Sequence, residues 1–336
     1  MNQLHNAFTL FLSLLVEAMP FLLVGVLLSG ILLLFIDERK LIGAMPKNPI
    51  LGAFVGSCVG FLFPVCECGN VPVARRLLMQ GVPSPVAIGF LLAAPTINPI
   101  VIWSTWVAFR DQPEIVVLRV VFSLAIATII ASVFSIQSNL KPILQPAIAC
   151  AIPRPQSKSR QEDNTPTLLQ SGTFWLGQSG PVQMDAVALG NTMAGNISTK
   201  PLPYKLRMLL DNTVQELREL GGVLILGSAI AAAIQVLAPR ELILSLGQGP
   251  ITSIVAMMVL AALVSICSTV DSFFALSFAS AFTSGSLLAF LVFGPMIDLK
   301  GIGLMLSILK PRAVFYLFGL AAQLTFIFTL LYTYFF

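Results

Sequence analysis

The segment Phe90–Asn98 of this chain returns 200 positions later as Phe290–Asp298. Phe90, Leu91, Pro95 and Ile97 reappear as Phe290, Leu291, Pro295 and Ile297. The echo runs upstream as well. Cys66 stands four residues before Asn70, and Cys267 stands four before Asp271. Pro49 is answered by Pro250, and Glu17 by Glu219 just ahead of Gly221 and Gly222. Duplication of an apolar unit, each copy interrupted by a cysteine and a polar residue, is the pattern of membrane proteins built from internal repeats.

The solvent for such a chain is lipid. Apolar residues make up 57% and charged residues 10% of it, far below the roughly one quarter charged that a soluble domain uses to cover its surface. The apolar runs are Phe8 to Ile36, Val86 to Phe109, Ile115 to Ile136, Val223 to Leu237 and Ala313 to Phe336. A crossing helix needs about 20 apolar residues. Nothing basic precedes Phe8, since Arg39 is the first Lys or Arg. The first run therefore reads as a retained span rather than a leader. No basic stretch interleaved with aromatics is present, which argues against nucleic acid as a partner. No phosphate-binding Gly-rich loop ending in Lys-Ser or Lys-Thr is present either, so a P-loop ATPase is excluded. Five cysteines in a chain this long do not make a secreted disulfide framework. Cys58 reads as packing and Cys150 as incidental.

Residues 137–210 break the pattern with Pro142, Pro146, Pro153, Pro155, Pro166, Pro181, Pro201 and Pro203 among many Ser, Gln and Asn. This composition predicts a flexible linker between a membrane repeat at 1–136 and a second at 211–336. Lys141, Arg154, Lys158, Arg160, Lys200, Lys205 and Arg207 place the linker in the cytoplasm by the positive-inside rule. If each half crosses five times, Arg39, Lys40, Lys47, Lys300, Lys310 and Arg312 share the linker's side, leaving Arg110 and Arg240 opposite. If the segment after each cysteine does not cross, that bias is lost. The charges favour five plus five, and an odd number inverts one repeat relative to the other. The expected fold is thus an all-α polytopic membrane protein: two inverted repeats of about five membrane segments each, some broken or re-entrant. Arg75 and Arg76 resist a simple crossing, because a charge at mid-membrane costs about 3 kcal/mol. They must face a watery cavity, meet Glu67 or a substrate, or sit near the surface, so a re-entrant hairpin stays open.

The chemistry gathers at Pro64, Cys66, Glu67, Cys68, Gly69, Asn70 and Pro72. Two prolines and a glycine so close interrupt a helix. Such backbone survives at membrane depth only inside protein or beside water. In a regular helix Cys66 and Cys68 point about 200° apart; unwound, they can share a ligand. Thiolates select soft, thiophilic centres. The bland reading is a tight turn of small residues. The second copy offers Ser265, Cys267, Ser268, Thr269, Asp271 and Ser272. Facing halves would bring Cys66, Cys68 and Cys267 together, with Glu67, Asp271 and Glu17 as candidates for proton coupling. The substrate-binding candidates are Cys66, Cys68, Cys267, Asn70, Asp271, Asn98 and Asp298. Asn98 and Asp298 follow Pro95 and Pro295 by three residues, where they can satisfy carbonyls freed by the proline or line a path. A packing kink explains them equally. Neither a catalytic residue nor a resident metal or cofactor is expected.

At these residues the chain resembles the predicted-permease family that includes the organoarsenical efflux permease ArsP. The likeness lies in Pro64 to Ala74, the turn at Gly81 to Pro83, Phe90 to Pro99, Cys267 to Phe278 and Phe290 to Asp298, and covers both membrane halves. It implies an inner-membrane permease, with export of trivalent organoarsenicals as the family's characterised activity. The function expected is outward transport of a small thiophilic solute such as a trivalent (organo)arsenical, with the bilayer and the metalloid as partners and room for a homo-oligomer. The alternatives are a permease for another soft metal or a small anion, and a membrane thiol oxidoreductase using Cys66 and Cys68. A scaffold that recruits a soluble protein through its linker is a further rival.

Overall fold

The computed structural model describes residues 2–35, 46, 48–63, 66–136, 144–145, 202–237, 249–279 and 282–335. Pro64, Val65 and Cys150 lie outside the described residues. So do Arg39, Lys40, Lys47 and Arg240, together with 146–201, on which the expected sidedness of the linker rests.

The described residues form α-helices joined by short connections, with one isolated bridge between Leu144 and Leu309. The helices are α1 Asn2–Phe35, α2 Pro49–Val59, α3 Glu67–Met79, α4 Ser84–Ile97, α5 Pro99–Ala108 and α6 Pro113–Ile136. They continue with α7 Leu202–Leu237, α8 Pro250–Val264, α9 Asp271–Leu276, α10 Ser284–Met296, α11 Leu299–Met305 and α12 Pro311–Phe335. Six stretches are long and apolar enough to cross a bilayer: His5–Ile31, Ser84–Ala108, Pro113–Ser135, Leu206–Ile234, Ser284–Met305 and Pro311–Phe335. Large apolar side chains such as Trp103, Phe315 and Tyr334 stand on the outer surface, as a lipid-facing belt requires. The protein is an all-α polytopic membrane protein.

The second and third segments of the first half are too short to cross alone. The 13 residues of α3 span about 20 Å at 1.5 Å per residue, against an apolar core of about 30 Å. Their register shows what they do instead. Gly52 lies against Val86, and Gly60 lies against the backbone of Ala94. α2 therefore runs parallel to α4. At its end α3 turns back through Gly81 at φ 81°. There the Val82 N–H donates to the Leu77 carbonyl and the Gly81 N–H to Leu78, a left-handed glycine stop that closes the helix. Thus α3 runs antiparallel to α4, and α2 and α3 form a hairpin whose tip reaches the level of Leu91 to Ala94. Ten residues into a crossing helix is about 15 Å, half the apolar thickness. Of the two options the sequence left open, crossing or re-entrant, the hairpin is the one this register fits.

Small residues make the hairpin possible. Gly52, Gly56 and Gly60 repeat every four positions along α2 and just past its end, and at Gly56 and Gly60 the chain meets the backbone of α4, the close approach that drives helix association in lipid. Gly25 of α1 meets the backbone of Gly69 in α3 in the same way. The second half repeats the register. Gly294 of α10 lies against Ala261 of α8, and the Leu299 N–H donates to Ser265 Oγ at 3.1 Å. Ser265 takes a left-handed backbone at φ 47°, an uncommon conformation for a non-glycine residue.

Two features differ from the expected flexible linker. Leu144 is fully buried, and Gln145 donates from Nε2 to the Leu306 carbonyl at 2.9 Å. Helix α7 also begins at Leu202, inside the stretch expected to be linker.

Candidate functional site

The two cysteines stand where interrupted segments restart. Cys66 is extended and caps α3, its carbonyl accepting from the Gly69 and Asn70 N–H groups at 3.0 and 3.1 Å. The Cys267 carbonyl accepts from Val270 and Asp271 at 2.9 and 3.1 Å. The hairpin tip thus puts both thiols off the ends of their helices. The Cys66 thiol lies beside those of Cys267 and Cys68, and Thr269 Oγ1 lies 3.6 Å from Cys267 Sγ. One carboxylate oxygen of Glu67 and the sulfurs of Cys66 and Cys267 all fall within 4.8 Å of each other. All are buried. Among the described residues Glu67 Oε2 has no hydrogen-bond partner. Of the predicted residues, the structure brings Cys66, Cys68, Cys267 and Glu67 into one cluster.

The other predicted residues carry the frame. Asn70 donates from Nδ2 to the Leu91 carbonyl at 2.7 Å. That carbonyl lies four residues before Pro95, whose missing N–H leaves it open. Asn98 caps α5, accepting from the Ile100 N–H at 2.9 Å. Asp298 caps α11, accepting from the Gly301 N–H at 2.6 Å, while its Oδ2 has no hydrogen-bond partner among the described residues. Each proline break is thus followed by a residue that restarts the helix. Glu17 has a buried Oε1 without a partner. Asp271 is bound by Arg119 through two bonds, Nη1 to Oδ1 at 3.1 Å and Nη2 to Oδ2 at 2.6 Å. Arg119 Nη1 also donates to Thr105 Oγ1 at 2.7 Å and Ser272 Oγ at 2.8 Å. Arg75 does not turn to Glu67; it pairs with Glu219 at 3.2 Å near the end of α3, with Glu216 beside it.

Two buried cations were not among the sequence candidates. Arg119 is 1% exposed on α6. Its signal was available, as the lone charge inside the run from Ile115 to Ile136. Lys300 was counted with the loop charges, and this is corrected. It is 1% exposed, because α11 carries the chain onward into the bundle after the break at Asp298. The groups near enough to act on Lys300 are Asp298, Cys68, Glu67 and Glu17.

The two clusters occupy exchanged places. Helix α3, which follows the first cysteine, packs on α11 of the second half. Helix α9, which follows the second, packs on α5 of the first. The first contact holds Glu67, Cys68 and Lys300; the second holds Asp271, Ser272 and Thr105, locked by Arg119.

Residues 3–334 match the model of a family described as a predicted permease. The UPF0718 protein YcgR of Bacillus subtilis is 38% identical over 309 residues, covering 92% of this chain and 90% of that protein. A Streptococcus mutans protein named as a two-component membrane permease complex subunit is 31% identical over 322 residues, covering 96% and 93%. No solved structure matches.

Proposed function

The chain belongs to the predicted-permease family, and on that footing we propose that it exports a small thiophilic solute, such as a trivalent (organo)arsenical, across the inner membrane. The family supports transport rather than catalysis. The observation that carries the cargo class is the meeting of Cys66, Cys68 and Cys267 at the hairpin tips, buried inside the protein. Buried thiols that are not tied in disulfides exchange readily with a three-coordinate arsenic centre. Each As–OH takes the thiol proton and leaves as water while an As–S bond forms; no electron changes hands. Release is the reverse, with water supplying the hydroxide. Two or three exchangeable thiols hold such a cargo without trapping it.

The path follows from the exchanged contacts. Three full crossings and one hairpin per half is an odd count, which supports inverted repeats. The contact of α3 with α11 then lies toward one face and that of α9 with α5 toward the other, with the thiols between. Opening one contact while the other stays shut gives alternating access. The name of the Streptococcus mutans relative supports a second component beside this chain.

The test is reconstitution into vesicles, with uptake of trivalent arsenicals, antimonite and divalent metals followed in the parent and in Cys66→Ser, Cys68→Ser and Cys267→Ser. Transport of a trivalent arsenical should fall in each variant. Undiminished transport in all three rejects the thiol site.

A further inference from the structure

Cys66, Glu67 and Cys267 offer two sulfurs and a carboxylate oxygen within 4.8 Å, a donor set that divalent zinc or cadmium accepts. The same pocket contains a built-in cation. Lys300 is buried to 1% exposure, and Glu67, Asp298, Glu17 and Cys68 all act on its ammonium. Among the described residues, Glu67 Oε2, Asp298 Oδ2 and Glu17 Oε1 have no hydrogen-bond partner, and Lys300 is a buried cation on α11, the helix that packs against α3.

We infer that Lys300 is the charge selector of the thiol site, a tethered cation that admits an uncharged trivalent thiophile and refuses divalent soft metals. The inference rests on the thiol-site reading proposed above. A divalent ion at the trio has to enter beside a buried like charge. It must also take from Lys300 a carboxylate that the ammonium already balances, and such repulsion is strong where the effective dielectric is low. An arsenic(III) hydroxide or its organic derivative carries no charge. It bonds through sulfur alone and leaves the Lys300–carboxyl balance untouched. Removing the ammonium leaves Glu17, Glu67 and Asp298 facing an unfilled cation position, which a divalent metal then occupies.

The experiment uses the full chain purified in detergent with Cys58 and Cys150 changed to Ser, so that only the site thiols report. Cadmium is titrated by its thiolate charge-transfer absorbance, and phenylarsine oxide by loss of thiol reactivity toward a maleimide. The affinity ratio of cadmium to phenylarsine oxide should rise by about tenfold or more in Lys300→Met and return toward the parent value in Lys300→Arg. An unchanged ratio in Lys300→Met overturns the inference, as does an equal rise in Lys300→Arg. If Lys300→Met fails to fold, the parent decides: cadmium binding as tight as phenylarsine oxide overturns it, and a clear preference for phenylarsine oxide that Lys300→Arg preserves supports it. Adding Cys66→Ser separates the two claims. Phenylarsine oxide binding that survives this change removes the thiol site itself. Binding that is lost, with no Lys300 effect, removes only the selector.

Discussion

Arg119 is the residue at which a single change reaches furthest. Its guanidinium satisfies Asp271, Ser272 and Thr105 at once. Arg119→Met strands the Asp271 carboxylate, and breaking a buried pair costs about 3–5 kcal/mol. Thermal unfolding in detergent should show that loss, and Arg119→Met with Asp271→Leu should regain most of it. A double variant as unstable as the single one rejects the pairing as the cause. Asn70→Ala should cost about 1–3 kcal/mol by the same measurement, since it leaves the Leu91 carbonyl buried and unmet. At this scale the sequence was half legible. The recurrence of Cys66 as Cys267 foretold a meeting of thiols, because matching places in two copies converge at their axis. It did not foretell that Asp271, the counterpart of Asn70, would be taken by Arg119 from a different helix. Partner choice depends on which helices touch, and spacing along the chain does not carry that.

Among the helices, close crossings decide. Gly25 and Gly69 touch through backbone, and so do Gly56 and Val86. A side chain at Gly25 or Gly56 meets atoms that belong to another helix's main chain and cannot swing away. Gly25→Val and Gly56→Val should therefore lose folded protein in detergent size-exclusion profiles. Gly222→Ala, where nothing lies within 4 Å, should elute like the parent. A normal profile for Gly56→Val contradicts the register that makes α2 and α3 a hairpin. The proline breaks were legible, because Pro95 and Pro295 remove a donor wherever they stand. The hairpin was legible only as one of two options. Apolar composition is the same for a segment that crosses and one that returns, and the difference lies in which small residues face which neighbour.

For the whole molecule, sidedness is the sharpest test. If each half makes three crossings and one hairpin, as proposed, single cysteines at Ser84 and Arg312 should react with an impermeant maleimide from one face of the membrane. Those at Asp111 and Ser284 should react from the other. Labelling of Ser84 and Ser284 from the same face would falsify the inverted arrangement. Membrane class was legible because its apolar composition repeats across many residues. Lys300 was not, since a lysine beside a helix break looks like a loop charge until the break is seen to continue inward. The pair between Arg119 and Asp271 also sets an order of assembly, because 152 positions separate its members. At about 5–20 residues per second of synthesis, Arg119 leaves the ribosome roughly ten to thirty seconds before its counter-ion exists. During that interval Thr105 is the nearest relief within its own half. A chain halted before Asp271 is left with an unmatched arginine in lipid, a natural mark by which quality control can tell an unfinished molecule from a completed one.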